Sequence, residues 1–209
     1  MDLSRYRTVI FDLDGTLYDK RGIPLRLIFG DLRNMLTLKA ERVARKEMKG
    51  LPYPSPDALY TDLFSRVAAS RKMDMKAVAH WYREQYMPLT ISILRKHYSA
   101  RPGVRDLFFT LRGKGISVVV LSDYGFVEEK LQALGIDPSW ADLVVDASSI
   151  GGFKPCPDTF RYLSNRFPEP FLVVGDRDDT DGEGARSAGM DFYRVDGAPD
   201  WEELLAWIR

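Results

Sequence analysis

Cysteine is nearly absent from this chain of 209 residues. The one present, Cys156, leaves no internal disulfide to form, which suits a reducing compartment. Histidine is almost as scarce. His80 and His97 have no carboxylate or metal-ligand pattern around them and read as surface or packing residues. An excess of one charge is missing too: 30 basic residues balance 30 acidic ones, which argues against a chain built chiefly to bind nucleic acid. No run approaches the roughly 18 apolar residues of a membrane span. The opening Met1–Arg7 lacks the apolar core of a signal peptide. Internal repeats and low-complexity tracts are also lacking. A soluble cytoplasmic protein is therefore expected. With 45% hydrophobic and 29% charged residues, a chain of this length can bury well over half of its unfolded surface, in one or two domains.

One stretch organises the rest. Thr8 to Phe11 is an apolar run suited to a buried strand, and Asp12, Leu13, Asp14, Gly15 and Thr16 follow it. Alternate residues of an extended chain point the same way, so Asp12 and Asp14 can converge on one ligand at the strand's carboxyl end, the edge where open α/β sheets bind ligands. Two carboxylates there are unfavourable unless a cation offsets them or one keeps its proton.

After Asp19 the pattern changes. From about Gly22 to Ser99 the spacing is helical with almost no strand signal. Leu32, Leu36, Lys39, Ala40 and Val43 suggest an amphipathic helix running to about Met48, and Gly50–Pro56 a break. Leu59, Leu63, Phe64 and Val67 suggest a second helix over Asp57–Ser70. A third starts near Asp74, carries Val78, Trp81 and Tyr82, and is interrupted or kinked at Pro88 before Thr90–Tyr98. From Pro102 onward strands and helices alternate. Strands are expected at Ile116–Leu121, Asp142–Asp146, Phe171–Val174 and Phe192–Val195. Helices are expected at Pro102–Arg112, Val127–Leu134, Pro157–Arg166, Gly182–Ala188 and Trp201–Ile208. The expected fold class is α/β: a Rossmann-like parallel sheet flanked by helices (residues 1–18 and 100–209) with an inserted all-helical cap (residues 19–99).

Asp-Leu-Asp-Gly-Thr after an apolar strand resembles the first motif of the haloacid dehalogenase-like hydrolase superfamily. Three further sites in the order that resemblance requires strengthen it. Ser122 after Val118–Leu121 is similar to the second motif, Lys154 before Pro155 to the third, and Gly175-Asp176 with Asp181 five residues on to the fourth. Each also has a plainer reading: a helix cap for Ser122, an exposed lysine by a turn for Lys154, an acidic loop capping a helix for Asp176–Asp181. All four together, each beside its own strand, outweigh those. Asp123 departs from the asparagine common in relatives.

The resemblance implies a Mg²⁺-dependent phosphatase that acts on a small phosphorylated metabolite through an aspartyl-phosphate. In it Asp12 is the nucleophile and Asp14 the general acid and base. Ser122 and Lys154 hold the phosphoryl group, with Gly15 and Thr16 supporting it. Asp12, Asp14 (through its carbonyl), Asp176 and Asp181 serve the metal. Asp178 and Asp179 rank lower by spacing. Phosphoglucomutase-type transfer uses the same core, and a non-catalytic phosphoester-binding protein on this scaffold is the remaining reading. Haloacid dehalogenation is disfavoured, since those enzymes use neither the second aspartate nor Mg²⁺. Oligomeric state and substrate are left open.

Several features carry plainer expectations. Arg33, Lys39, Arg42, Arg45, Lys46 and Lys49 form a basic helix, read as a solvated face rather than an anion site. Lys20, Arg21 and Arg26 lie near the cap entry, where they could read a substrate, a reading ranked below that of ordinary exposed cations. Tyr18 lines the pocket or packs, Cys156 fills space near a helix start, and Phe64, Trp81 and Tyr82 form cap core.

Overall fold

A computed structural model describes residues 3–207. β1 (Thr8–Asp12) is buried along its whole length, as an uninterrupted apolar run requires. It lies at the centre of a five-stranded parallel sheet of order β3-β2-β1-β4-β5, with β2 (Ser117–Ser122), β3 (Leu143–Asp146), β4 (Phe171–Gly175) and β5 (Asp191–Arg194). The chain adds β2 and β3 on one side of β1 and then crosses to add β4 and β5 on the other. The crevice between β1 and β4 is thus where the strand order reverses.

Register brings the motifs together. Asp12 pairs with Leu121, so Ser122 lies one residue beyond it, and Phe11 pairs with Val174, so Gly175 and Asp176 come level with the end of β1. Alternation divides the two faces. Val9, Phe11, Val118, Val120, Leu172 and Val174 enter one core with α6 (Val104–Gly113), α7 (Val127–Ala133) and α10 (Ala198–Ala206). Ile10, Val119, Leu121 and Val173 enter the other with α8 (Pro157–Ser164) and α9 (Glu183–Ser187).

Between β1 and α6 the chain is helical: α1 (Ile23–Gly30), α2 (Met35–Glu47), α3 (Pro56–Arg71), α4 (Met75–Trp81) and α5 (Met87–His97). These helices have a core of their own, in which Met48, Leu59, Leu63, Val67 and Val78 are fully buried. Phe64, Trp81 and Tyr82 belong to it, and the Trp81 and Tyr86 rings stack at 5.2 Å.

Three local expectations are corrected. α1 was not anticipated, because only Leu27 of its eight residues is buried and no apolar period shows. Most of the expected stripe faces solvent: Leu32, in a short turn before α2, and Leu36 and Val43 within it are 62%, 52% and 48% exposed, while Ala40 is buried as expected. The buried stripe is Leu38, Glu41, Arg45 and Met48, where an ion pair of Arg45 Nε and Glu41 Oε1 (2.7 Å) breaks the hydrophobic pattern. The interruption expected near Pro88 is present: a π-helical turn over Tyr82–Tyr86 separates α4 from α5, and the proline falls in the first turn of α5. The last helix begins at Ala198, because the Asp200 carboxylate accepts from the Asp196 and Gly197 amides, and Ile208 lies outside the described residues.

Candidate active site

The chain after β1 turns sharply at Gly15, whose φ is +108°. A β-carbon there would run into the Asp176 carboxylate and the Lys20 stem, so glycine permits both the backbone angle and the close approach. Thr16 Oγ1 donates to Asp12 Oδ2 (2.9 Å), and Arg101 holds the turn by donating to the carbonyls of Thr16 (2.8 Å) and Gly15 (3.2 Å).

Lys154 Nζ donates to Asp12 Oδ1 (2.7 Å) and to Asp181 Oδ1 (2.5 Å). All three side chains are at least nine-tenths buried. Burial opposes charge on Lys154, but the carboxylates of Asp12 and Asp181 outweigh it and hold the ammonium well above its ordinary range. Asp12 goes the other way. Burial pushes its carboxyl up to about 6, against the pull of Lys154 and with the fields of Asp181 and Asp14 adding to the rise. Asp181 is raised by burial as well. Asp123, at the position that departs from relatives, is buried, raised by that burial, and accepts from the Lys154 amide (2.8 Å).

Asp14 has a different environment. Lys130 Nζ (2.6 Å) and Ser122 Oγ (2.9 Å) donate to its Oδ2, and the Tyr18 hydroxyl donates to Oδ1 (2.7 Å). Burial would raise this carboxyl, but Lys130 with the Tyr18 and Ser122 bonds brings it below the ordinary value. Ser122 therefore spends its hydroxyl on Asp14.

Asp12, Asp176 and Asp181 each bring a carboxylate oxygen within 4.8 Å of the other two, a spacing that one small divalent ion bridges. The Asp14 carbonyl and the Asp176 carboxylate both turn to one cation, the ammonium of Lys20. The donor set is all oxygen and fits Mg²⁺. Asp178 and Asp179 point elsewhere, to Arg186 and to Arg177 and Lys49.

These groups form the floor of a cavity of about 420 Å³. Its wall comes from the helices before β2: Ile23, Pro24, Leu27, Met87 and Thr90 on one part, Arg42, Arg45, Lys46 and Lys49 on another. The expectation of a merely solvated basic helix is corrected for Arg45, which is buried, and for Lys49, which is half-buried. It holds for Arg33, Lys39, Arg42 and Lys46, which are exposed, although the last two also line the cavity. Arg45 is buried, donates to the Asp123 carbonyl (2.9 Å) and the Tyr82 hydroxyl (3.0 Å), and lies over the Phe153 ring at 4.3 Å. Lys49 bridges to Asp179 at 3.1 Å. Arg42 and Lys46, one helical turn apart, have no ion-pair partner among the described residues.

Residues 6–189 match a family model described as haloacid dehalogenase-like hydrolase. The chain belongs to that family. Over 97% of this chain and 90% of its own length, YfnB of Bacillus subtilis is 26% identical. A phosphoglycolate phosphatase of Aquifex aeolicus is 29% identical over 88% of this chain and 81% of its own. A pyrophosphatase, PpaX, of Bacillus cereus is 28% identical over 82% and 75%. A crystal structure of YfnB bound to magnesium matches with a TM-score of 0.67, covering 97% of this chain and 99% of that one at 18% identity, a likeness of fold.

Sequence reasoning passed over two lysines of this site. Lys130 had a signal: Val127, Lys130, Leu131 and Leu134 share one helical face, and a lysine inside an apolar stripe must have a buried partner. Lys20 had only its place near the cap entry, and its side chain reaches the site by folding back over Gly15. Tyr18 lines the cavity, and Cys156 is a buried free thiol. His80 and His97 are exposed.

Proposed function

We propose that this protein hydrolyses a small phosphomonoester through an aspartyl-phosphate on Asp12. The observation that carries the reading is the pairing of a buried Asp12 carboxylate with Lys154 beside a metal-compatible acid cluster, at the crevice where the strand order reverses. The family's hydrolase character and relatives named as phosphatases support it.

Asp12 attacks phosphorus, the bond to the leaving oxygen breaks, and a proton from Asp14 goes to that oxygen. Asp14 then takes a proton from water, whose oxygen attacks phosphorus and releases phosphate, restoring Asp12. Lys130 holds Asp14 in the ionised form that the second step needs. For the first step the carboxyl must take up a proton at the expense of that ion pair. Lys154 faces the attacking carboxylate and offsets charge on the transferring group. Mg²⁺ would be held by Asp12, the Asp14 carbonyl and Asp176, with Asp181 in support. When bound it offsets the negative charge of the carboxylates and the phosphoryl oxygens.

Residues 19–99 act as the cap over the core of residues 1–18 and 100–209, and their cavity wall faces the leaving group. Arg42 and Lys46, cations with no acidic partner on that wall, suit a substrate with a second anionic group. Phosphate release from a panel of small phosphoesters, with and without Mg²⁺, tests the reading. Turnover should need Mg²⁺ and fall at least about a thousandfold in Asp12→Asn. Asp12→Asn turnover above a few per cent of wild type would reject this nucleophile.

A further inference from the structure

Lys20 lies in the loop between β1 and α1, outside every motif. Its ammonium donates to the Asp14 carbonyl (2.9 Å) and pairs with Oδ2 of Asp176. The stem lies against Gly15, close enough that a β-carbon on that residue would meet Lys20 Cδ. The lysine is 41% exposed and Asp176 only 15%, so the acid is the enclosed partner and the lysine reaches in from solvent.

The two oxygens it holds are two of those that the proposed function assigns to Mg²⁺. A magnesium ion binds oxygen at about 2.1 Å and demands near-octahedral geometry. An ammonium donating to the same two oxygens would then stand within a few ångströms of it. Two like charges at such a distance repel strongly even at a protein surface. The two cations therefore exclude each other.

We propose that Lys20 is a tethered stand-in for the metal: it neutralises Asp176 and orders the Asp14 carbonyl in the metal-free protein, and Mg²⁺ must displace it to bind. This rests on the metal reading above and adds a competitor to it. Without Lys20 the metal-free site keeps Asp12, Asp176 and Asp181 within 4.8 Å of one another, with Lys154 paired to Asp12 and Asp181 and no lysine against Asp176. That form is less stable. The metal-bound form, in which the lysine has already left, is little changed. The difference appears as tighter metal binding. A lysine that merely held its loop in shape would give the opposite sign, because removing it would loosen two ligands and weaken binding.

The test is Mg²⁺ titration by calorimetry, with thermal melts, of wild type, Lys20→Met and Lys20→Gln, each checked for native circular dichroism. Both variants should bind Mg²⁺ about threefold to tenfold more tightly, the range set by a half-exposed ion pair to an enclosed acid. Without metal both should melt below wild type, and saturating Mg²⁺ should raise their melting temperatures by more. Equal or weaker binding in both variants overturns the proposal and leaves the metal site standing. Asp176→Asn, as control, should lose binding. If wild type and both lysine variants all fail to bind Mg²⁺, the metal reading falls and the proposal with it.

Discussion

Replacing Lys154 with methionine keeps the bulk of the stem and removes the charge that Asp12 and Asp181 share. The lysine side chain is 3% exposed, and its partners are 8% and 2% exposed. Solvent can therefore do little to screen what is left. Removing one partner of a buried ion pair costs about 3–5 kcal/mol, because the remaining charge is buried without compensation. Here two carboxylates remain, facing each other. In a chain of this size the loss corresponds to a fall in melting temperature on the order of 10 °C.

The pH dependence follows from the direction of the Asp12 shift. Its folded value, about 6, lies above the ordinary 3.8, so the folded state binds that proton more tightly. The associated stability is fully present below the ordinary value and is lost as pH rises through about 6. Without Lys154 both carboxyls rise further, and the loss extends to higher pH. The deficit of Lys154→Met should therefore be largest at pH 7.5 and shrink towards pH 5. Urea denaturation of both proteins at the two pH values reads this directly, with an unchanged m-value to show that the same surface is exposed. A deficit below about 1 kcal/mol at pH 7.5, or one equal at both pH values, would refute the buried triad.

Two further substitutions test the rest of the site. Lys130→Met removes the cation that holds Asp14 below its ordinary value, and should cost about 2–4 kcal/mol at pH 7, since the lysine is 1% exposed and the acid 21%. A depressed carboxyl stabilises above its ordinary value and loses that as pH falls through the folded value. The deficit should thus fade below about pH 4, and urea midpoints that show no such convergence would speak against the pair. Arg42→Ala with Lys46→Ala should raise KM about tenfold or more for a phosphoester with a second anionic group, and change KM little for one without. Steady-state kinetics on such a pair of esters checks it, and an equal change for both removes the cationic wall from substrate recognition.

Much of the architecture could be read from the residues because it follows from local rules. An apolar run such as Thr8–Phe11 is buried in any parallel sheet, and alternation of strands and helices after Pro102 leaves few topologies. Asp12, Asp14, Ser122 and Asp176 were legible because each sits at the carboxyl end of a strand, or just beyond, and parallel register brings those ends to one edge. Lys154 and Asp181 lie farther past β3 and β4, and the turns after those strands bring them back to that edge. The basic helix was misread for a reason of the same kind. Its buried face carries Glu41 and Arg45, and hydropathy cannot show that a charge is buried against its own partner. Strand ends, turns and the order of chemistry along the chain are properties of neighbours in sequence, and the sequence by itself determined them. Which cation meets which carboxylate was decided only in three dimensions. Lys130 takes Asp14, Lys154 takes Asp12 and Asp181, and Lys20 takes Asp176, because charge pairing depends on distances between segments more than a hundred residues apart as much as on those close in the chain.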